Sequence, residues 1–402
     1  MYFSEEDQAA MKLNIAKITK YHELAGTLKL IGHRGMGPSS NIIDPDCDPN
    51  MIPENTLASF KKAIILGADG IEFDLFSSKD NRIMVIHSDQ LWLHVYGAPR
   101  DGSLLPPGET TDTYIVGNKS VVELQQLAVG SKNEKIPILI EVLELVSEAN
   151  SIRCSFNLPK LILNMEFKDS KKSQDAIMIT VKNTIKEIQQ YTDQYPSSGV
   201  NFEDIYFCSF NHDALIHLIK IAIDLKIDKI QVAPIIKTAT LFGKDNVDLN
   251  YTVREEVTTY DTTGLDSLRS LFHDYDQKFI AYDVILWDVY LPLIELVGSK
   301  SKQLHTSTSD NRTYDVPSTF CVFLLKMSNR VPVCFKCDAV DQAITLLTRK
   351  AELLNKYKEN RRLLEQQHLG SQSQSLEKQL SSISTSSRVL LNRLPKPIYQ
   401  QT

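Results

Sequence analysis

Two carboxylates two residues apart, Glu72 and Asp74, lie in an apolar run between two histidines, His33 and His87. In an extended strand successive side chains alternate faces, so Glu72 and Asp74 project together while Phe73 and Leu75 face the other way. Two acids held that close repel unless a cation or a proton lies between them, and an oxygen-only ligand set suits Mg²⁺ or Ca²⁺. Too few residues separate Asp74 from His87 for a helical crossover. The simplest path is an antiparallel hairpin turning near Asp80 and Asn81, a register in which Asp74 and His87 face each other. His33 follows the apolar run 28–31, and its neighbour Arg34 carries a fixed fork of donors suited to a phosphate or carboxylate. Glu166 and Lys168 repeat the two-residue spacing after the apolar run 161–163, so they too share a face, one offering a ligand and the other a positive charge.

The order of these groups is more specific than any one of them. Gly32-His33-Arg34-Gly35, Pro53-Glu54-Asn55-Thr56-Leu57-Ala58-Ser59-Phe60, Gly67-Ala68-Asp69-Gly70-Ile71-Glu72-Phe73-Asp74 and Val85-Ile86-His87 resemble the glycerophosphodiester phosphodiesterases. Asn164-Met165-Glu166-Phe167-Lys168 is similar to that family's Glu-x-Lys strand, and Cys208-Ser209-Phe210 to its Ser-Phe strand. The likeness covers roughly residues 29–240 and continues more faintly to about 348. It implies that Glu72, Asp74 and Glu166 bind one divalent cation, Mg²⁺ or Ca²⁺ with Mn²⁺ as a further option. It also implies that His33 and His87 form the acid and base pair and that Arg34 and Lys168 clamp the phosphodiester. The chemistry implied is attack by a glycerol hydroxyl to give a cyclic phosphate, which water then opens to glycerol 3-phosphate.

Such an inventory suits a phosphodiester. The substrate is an anion that repels nucleophiles, so a site must neutralise the non-bridging oxygens and the charge that builds on them in the transition state. One imidazole takes a proton from the attacking oxygen while the other gives one to the leaving alcohol. Three departures from the family pattern stand out. His87 is followed by Ser88 and only then Asp89, whereas the family places aspartate directly after the second histidine. The family's Trp-Thr-Val-Asn strand has its nearest counterpart in Leu304-His305-Thr306-Ser307-Thr308. The final strand, Val331-Pro332-Val333-Cys334-Phe335-Lys336-Cys337-Asp338, keeps only the aspartate of Thr-Asp-x-Pro. The expected metal ligands are untouched by these changes; recognition of the alcohol is what they alter.

The elements that must position these groups alternate. Strands are expected near 28–32, 70–75, 161–167, 204–209, 229–235, 279–286, 302–308 and 331–337, with helices over 57–66, 139–149, 176–191, 213–225 and 289–297. Eight strands alternating with helices indicate an α/β fold, a TIM-type (β/α)8 barrel with residues 83–86 as a hairpin arm outside it, and put the motif residues at strand C-terminal ends. The expected organisation is an N-terminal helical segment over 1–27, a catalytic barrel over 28–348 with insertions at 92–136 and 236–278, and a C-terminal charged helix and tail over 349–402. The first insertion is the candidate lid, with Trp92, His94 and Tyr96 as contacts. In the C-terminal helix Ile344, Leu347, Ala351, Leu354 and Tyr357 fall at helical spacing, and the Ser- and Gln-rich stretch 370–387 reads as a tail without a core of its own.

With 402 residues and 42% hydrophobic content there is enough chain for one barrel-sized core. A net charge of -6 gives no basic field for nucleic acid, so phosphate must be held by a local site. The acidic start Met1-Tyr2-Phe3-Ser4-Glu5-Glu6-Asp7 has no apolar core for a secretory signal, and the apolar stretch 279–297 is broken by Asp283, Asp288 and Glu295, so no transmembrane span is expected. The expected location is cytoplasmic, with non-classical export left open. The 6 cysteines are scattered, and Cys334 and Cys337, at an odd offset in a strand, point to opposite faces rather than to one zinc.

Three functions of different class fit these features: a metal-dependent phosphodiesterase releasing glycerol 3-phosphate, a phospholipid-directed lysophospholipase D or cyclising lyase, and an inactive phosphate-binding module. The second needs an apolar groove, for which Trp92, Leu93 and residues 285–291 are the candidates.

Overall fold

The computed structural model describes residues 1–36, 52–95, 103–130, 133–173, 175–236, 270–285, 297–307 and 324–366. Among the described residues there are nine strands: β1 (Leu28–Gly32), β2 (Gly70–Ser77), β3 (Ile83–Val85), β4 (Ile162–Phe167), β5 (Ile205–Ser209), β6 (Gln231–Ile236), β7 (Ala281–Ile285), β8 (Gln303–Ser307) and β9 (Val333–Cys337). They form one sheet in the order β1-β9-β8-β7-β6-β5-β4-β2-β3, and pairing of β1 with β2 closes the ring. Every pairing within the ring is parallel. Only β3 runs antiparallel, as an arm on β2. The fold is therefore a closed parallel eight-stranded barrel with helices between its strands.

Helices α1 (Glu5–Ala25), α2 (Leu57–Leu66), α3 (Val121–Gln125), α4 (Leu139–Ser155), α5 (Ala176–Gln194), α6 (His212–Asp224) and α7 (Val340–Gln366) surround the ring. The start of α2 shows how local chemistry sets its position. Thr56 accepts the Ser59 N–H at the N-terminus, and left-handed Gly67 ends the helix with its N–H on the Ala63 and Ile64 carbonyls. Phe60 of α2 packs on Phe73 of β2 with ring centroids 5.6 Å apart, so Glu72 and Asp74, on the other face, point into the barrel. α7 runs unbroken through residue 348 and packs on α1; its Ile344, Leu347 and Ala351 are buried, with Leu354 and Tyr357 half-buried. The expected helix over 289–297 and the stretches 237–269 and 370–387 lie outside the described residues, apart from Val297 itself. No helix among the described residues is long and apolar enough to cross a membrane.

The β2–β3 hairpin differs from the expected register by one residue. Leu75 pairs with Val85 and Phe76 with Met84, so Ile86 stands opposite Asp74 and donates its N–H to the Asp74 carbonyl at 3.0 Å. The cause is the turn, where left-handed Asn81 and the Ser78 N–H to Arg82 carbonyl bond set the loop length. His87 is thereby carried past the end of the ladder toward the mouth of the barrel.

The described parts of residues 92–136 are packed rather than loose on the surface. Phe76, Met84 and Ile86 of the hairpin region join Leu91, Trp92, Ile115 and Val116 in a separate apolar cluster. Trp92 is packed inside it at 5% exposure, so it lines no groove; Tyr96 and residues 286–291 lie outside the described residues.

Candidate active site

β1 ends in a tight turn that delivers His33 and Arg34. Gly32 is required there: a Cβ would come within 2.7 Å of the Gly35 carbonyl oxygen and 2.8 Å of Ala63 Cβ. Arg34 is held at φ 49°, a left-handed conformation costly for a branched or bulky residue and maintained here by its surroundings. In that conformation its backbone N–H donates to Glu72 Oε2 at 2.8 Å, and its guanidinium Nη1 donates to Glu54 Oε2 at 2.9 Å. The left-handed Asn55 brackets Asp74, donating from Nδ2 to Oδ2 at 2.8 Å and accepting the Asp74 N–H.

Glu72, Asp74 and Glu166 are all buried, and one oxygen of each lies within 4.8 Å of the others. Parallel pairing of β2 with β4 places Asp74 beside Glu166 in register. Lys168 Nζ contacts Asp74 Oδ1 at 3.1 Å and Glu166 Oε1 at 2.6 Å. Glu72 Oε1 meets no donor among the described residues. A buried carboxylate oxygen left without a donor costs several kcal/mol, of order 1–3 or more, and a divalent cation held between three carboxylates removes that cost. The donor set is compatible with such an ion.

The charges have mutual consequences. Burial and the neighbouring Asp74 charge push the Glu72 carboxyl up to about 7. Asp74, though buried, is held below the usual carboxylate range by Lys168, Arg34 and the Asn55 bond. The two acids thus divide as a close like-charged pair must. Lys168 is half-buried beside them, and Asp74 and Glu166 hold its proton more tightly than usual.

The two histidines sit in different fields. His33 lies between Asp338, whose Oδ1 is 3.0 Å from Nδ1, and Glu72, 3.9 Å from Nε2. Against burial and Arg34, these two carboxylates raise its pKa. His87 has Glu54 Oε1 3.6 Å from Nδ1. Burial, Arg34 and Lys168 press its pKa well below the ordinary value. A cavity of about 380 Å³ opens beside His87 and Lys168, walled by Phe76, Phe167 and Phe210.

The structure thus gathers His33, Arg34, Glu72, Asp74, Glu166 and Lys168 at one end of the barrel, with His87 at its rim. Sequence reasoning did not assign roles to Glu54, Asn55 or Asp338, and named His94 only as a contact of the lid. Glu54 and Asn55 lie inside a motif that carries the family resemblance, and Asp338 is the one residue kept in the divergent last strand. His94 carried no signal beyond its place in an insertion. Asp89 points elsewhere: its Oδ2 accepts from Ser170 Oγ at 2.9 Å and the Lys171 N–H at 2.5 Å. The barrel floor is more polar than the strand pattern suggested, with Lys336 paired to Asp283 at 2.7 Å and His305 fully buried. Cys154, Cys208, Cys334 and Cys337 are free thiols.

Comparison with known proteins agrees with this geometry. The chain is 30% identical over 205 residues to a glycerophosphodiester phosphodiesterase of Caldanaerobacter subterraneus subsp. tengcongensis, covering 49% of this chain and 64% of that one. It is 31% identical over 141 residues to a glycerophosphodiester phosphodiesterase of Bacillus altitudinis, covering 34% and 49%. The matched stretches thus span from about half to just under two thirds of these relatives' lengths. In fold, it resembles a crystal structure described as a putative glycerophosphoryl diester phosphodiesterase from Silicibacter pomeroyi, with TM-score 0.53, 15% identity, and coverage of 82% of this chain and 98% of that one. A putative glycerophosphodiester phosphodiesterase from Galdieria sulphuraria superposes with TM-score 0.51 at 18% identity, covering 80% and 97%. Residues 33–313 match the model of the glycerophosphoryl diester phosphodiesterase family, and the chain belongs to that family.

Proposed function

We propose that the protein hydrolyses glycerophosphodiesters to glycerol 3-phosphate and an alcohol, with His33 and His87 moving the protons. The observation that carries this reading is the convergence of three buried carboxylates, Glu72, Asp74 and Glu166, within 4.8 Å, beside an imidazole and two cationic side chains. Those carboxylates would hold one divalent cation, Mg²⁺ or Ca²⁺ by their all-oxygen chemistry, and the ion supplies positive charge for the non-bridging phosphate oxygens.

The chain's own groups do the rest. Arg34 is fixed by Glu54 on one side and reaches within 3.5 Å of Asp74 on the other, so its planar fork is already oriented for a phosphate. Lys168 uses two of its three donors on carboxylates and keeps a third for the substrate. His33 is oriented through Nδ1 by Asp338, which leaves Nε2 on the Glu72 side for proton transfer. His87, at the cavity, takes the complementary part. A 380 Å³ cavity is near the small end of ligand pockets, which favours a compact alcohol over a long acyl chain.

Incubation with glycerophosphocholine and with lysophosphatidylcholine, each with Mg²⁺, Ca²⁺, Mn²⁺ or a chelator, tests the proposal. Glycerol 3-phosphate is expected from the first substrate, with loss of product in chelator and in the Glu72→Gln variant. Absence of cleavage with every ion, or full activity of folded Glu72→Gln, refutes it.

A further inference from the structure

We propose that His94, in the segment that follows His87, is a positioning residue that acts with Glu54 to fix the tautomer and orientation of the His87 imidazole. The inference rests on the reading of His87 as a proton-transfer group, and concerns how that group is held.

A proton-transferring histidine needs a partner on its distal nitrogen, or it samples both tautomers and several ring angles. Asp89, the nearest carboxylate in sequence, is committed to Ser170 and Lys171. Glu54 fills the role instead. Its Oε2 takes the Arg34 guanidinium, and its Oε1 faces two imidazoles, His87 Nδ1 at 3.6 Å and His94 Nδ1 at 3.9 Å. These separations exceed a direct hydrogen bond by less than 1 Å, the looseness that catalytic contacts show before substrate draws them in.

His94 is buried at 3% exposure, and its Nε2 accepts the Ser88 backbone N–H at 3.2 Å. A nitrogen that accepts carries no proton, so neutral His94 bears its proton on Nδ1, the atom turned toward Glu54 Oε1. That tautomer matters because Glu54, His87 and His94 each offer one atom within 4.8 Å of the others, as a metal site would require. With Nδ1 protonated, His94 cannot ligate through it, and the cluster is a hydrogen-bonding relay. His94 also links to His87 in two other ways. Its accepting nitrogen tethers the residue next to His87, and its ring stands edge-on to the His87 ring, 6.3 Å away at 89°. The Leu91–Leu93 turn, from which the His94 N–H donates to the Leu91 carbonyl, is anchored by buried Leu91 and Trp92. In this arrangement the His87 Nδ1–H faces Glu54 Oε1, the acceptor it closes on when substrate binds, and His87 Nε2 is left for the substrate.

His94→Phe keeps the ring and removes both nitrogens; kcat with glycerophosphocholine should fall about 10- to 100-fold, the scale of a misplaced catalytic group. KM should change less than about threefold, because Arg34 and Lys168 are untouched. His94→Gln, which can accept from Ser88 and donate to Glu54, should recover most of that loss. Nitrogen-15 NMR of the imidazoles should show Nδ1–H at His87 and His94 in the wild type, and a tautomer mixture at His87 in folded His94→Phe. Wild-type kcat in His94→Phe overturns the proposal, as does an Nε2–H tautomer at His94 in the wild type. Should His94→Phe fail to fold, the wild-type spectrum and His94→Gln decide alone. A chain that cleaves no glycerophosphodiester defeats the activity reading, while the spectra still judge the positioning.

Discussion

The ion pair beneath the carboxylate cluster gives a quantitative test of how this barrel tolerates charge in its interior. Lys336 Nζ lies 2.7 Å from Asp283 Oδ2, with the two residues 3% and 1% exposed. At that distance and an effective dielectric of about 20, their attraction is about 6 kcal/mol. Desolvating the two ions costs several kcal/mol each, so the pair is near neutral against an apolar replacement, roughly within 2 kcal/mol. Removing one partner is a different matter. Lys336→Met leaves the Asp283 carboxylate buried without its cation and also removes positive charge that Glu72 and Glu166 feel from below. The expected loss is about 3–5 kcal/mol. Asp283→Leu combined with Lys336→Met should return to within about 2 kcal/mol of the wild type, giving a coupling above about 2 kcal/mol in the double-mutant cycle. Urea unfolding followed by circular dichroism, in chelator so that bound metal does not contribute, measures all four proteins. A Lys336→Met loss below about 1 kcal/mol, or additive losses, would show that the pair is solvated or relaxed and would refute the reasoning.

Two further predictions concern neighbouring parts of the barrel. Gly32→Ala should shift the His33–Arg34 turn away from Glu72, since the added Cβ meets a backbone oxygen at 2.7 Å; turnover should fall at least about tenfold and stability by about 1–3 kcal/mol, and unchanged kinetics would show that the turn absorbs the methyl. His305, fully buried on β8 with its ring 5.0 Å from Tyr206 and near Asp283 and Lys336, has its pKa lowered by burial to about 4. The unfolded chain then binds the extra proton between about pH 6.5 and 4, so this residue's share of stability is complete above the unfolded value and is lost as pH falls, about 2–3 kcal/mol between pH 7.5 and 4.5. The stability difference between wild type and His305→Leu should narrow by that amount over the interval, and a pH-independent difference contradicts the buried neutral imidazole.

What the sequence made legible, and what it did not, follows the distance over which each contact acts. Glu72 with Asp74 and Glu166 with Lys168 are two-residue spacings, and strand geometry alone puts each pair on one face. Helix α2 appears over the expected residues 57–66, and the caps that bound it, Thr56 and Gly67, act locally. The hairpin slipped by one residue because its register depends on the turn conformation at Asn81, which composition does not specify. The partners that orient the site are of another kind. Asp338 reaches His33 across 305 residues, and Lys336 reaches Asp283 across 53. Both contacts exist only because β9 closes against β1 and β8. Glu54 meets His87 and His94 because the hairpin and its packed insertion fold back over the α2 entrance. The apparent decay of the family pattern toward the C-terminus thus falls on strands that carry the acid of His33 and the polar floor under Glu72. In this chain the divergent strands have not lost contact with the site; they supply its supports in different residue types, and changes there should alter catalysis without touching a proposed metal ligand.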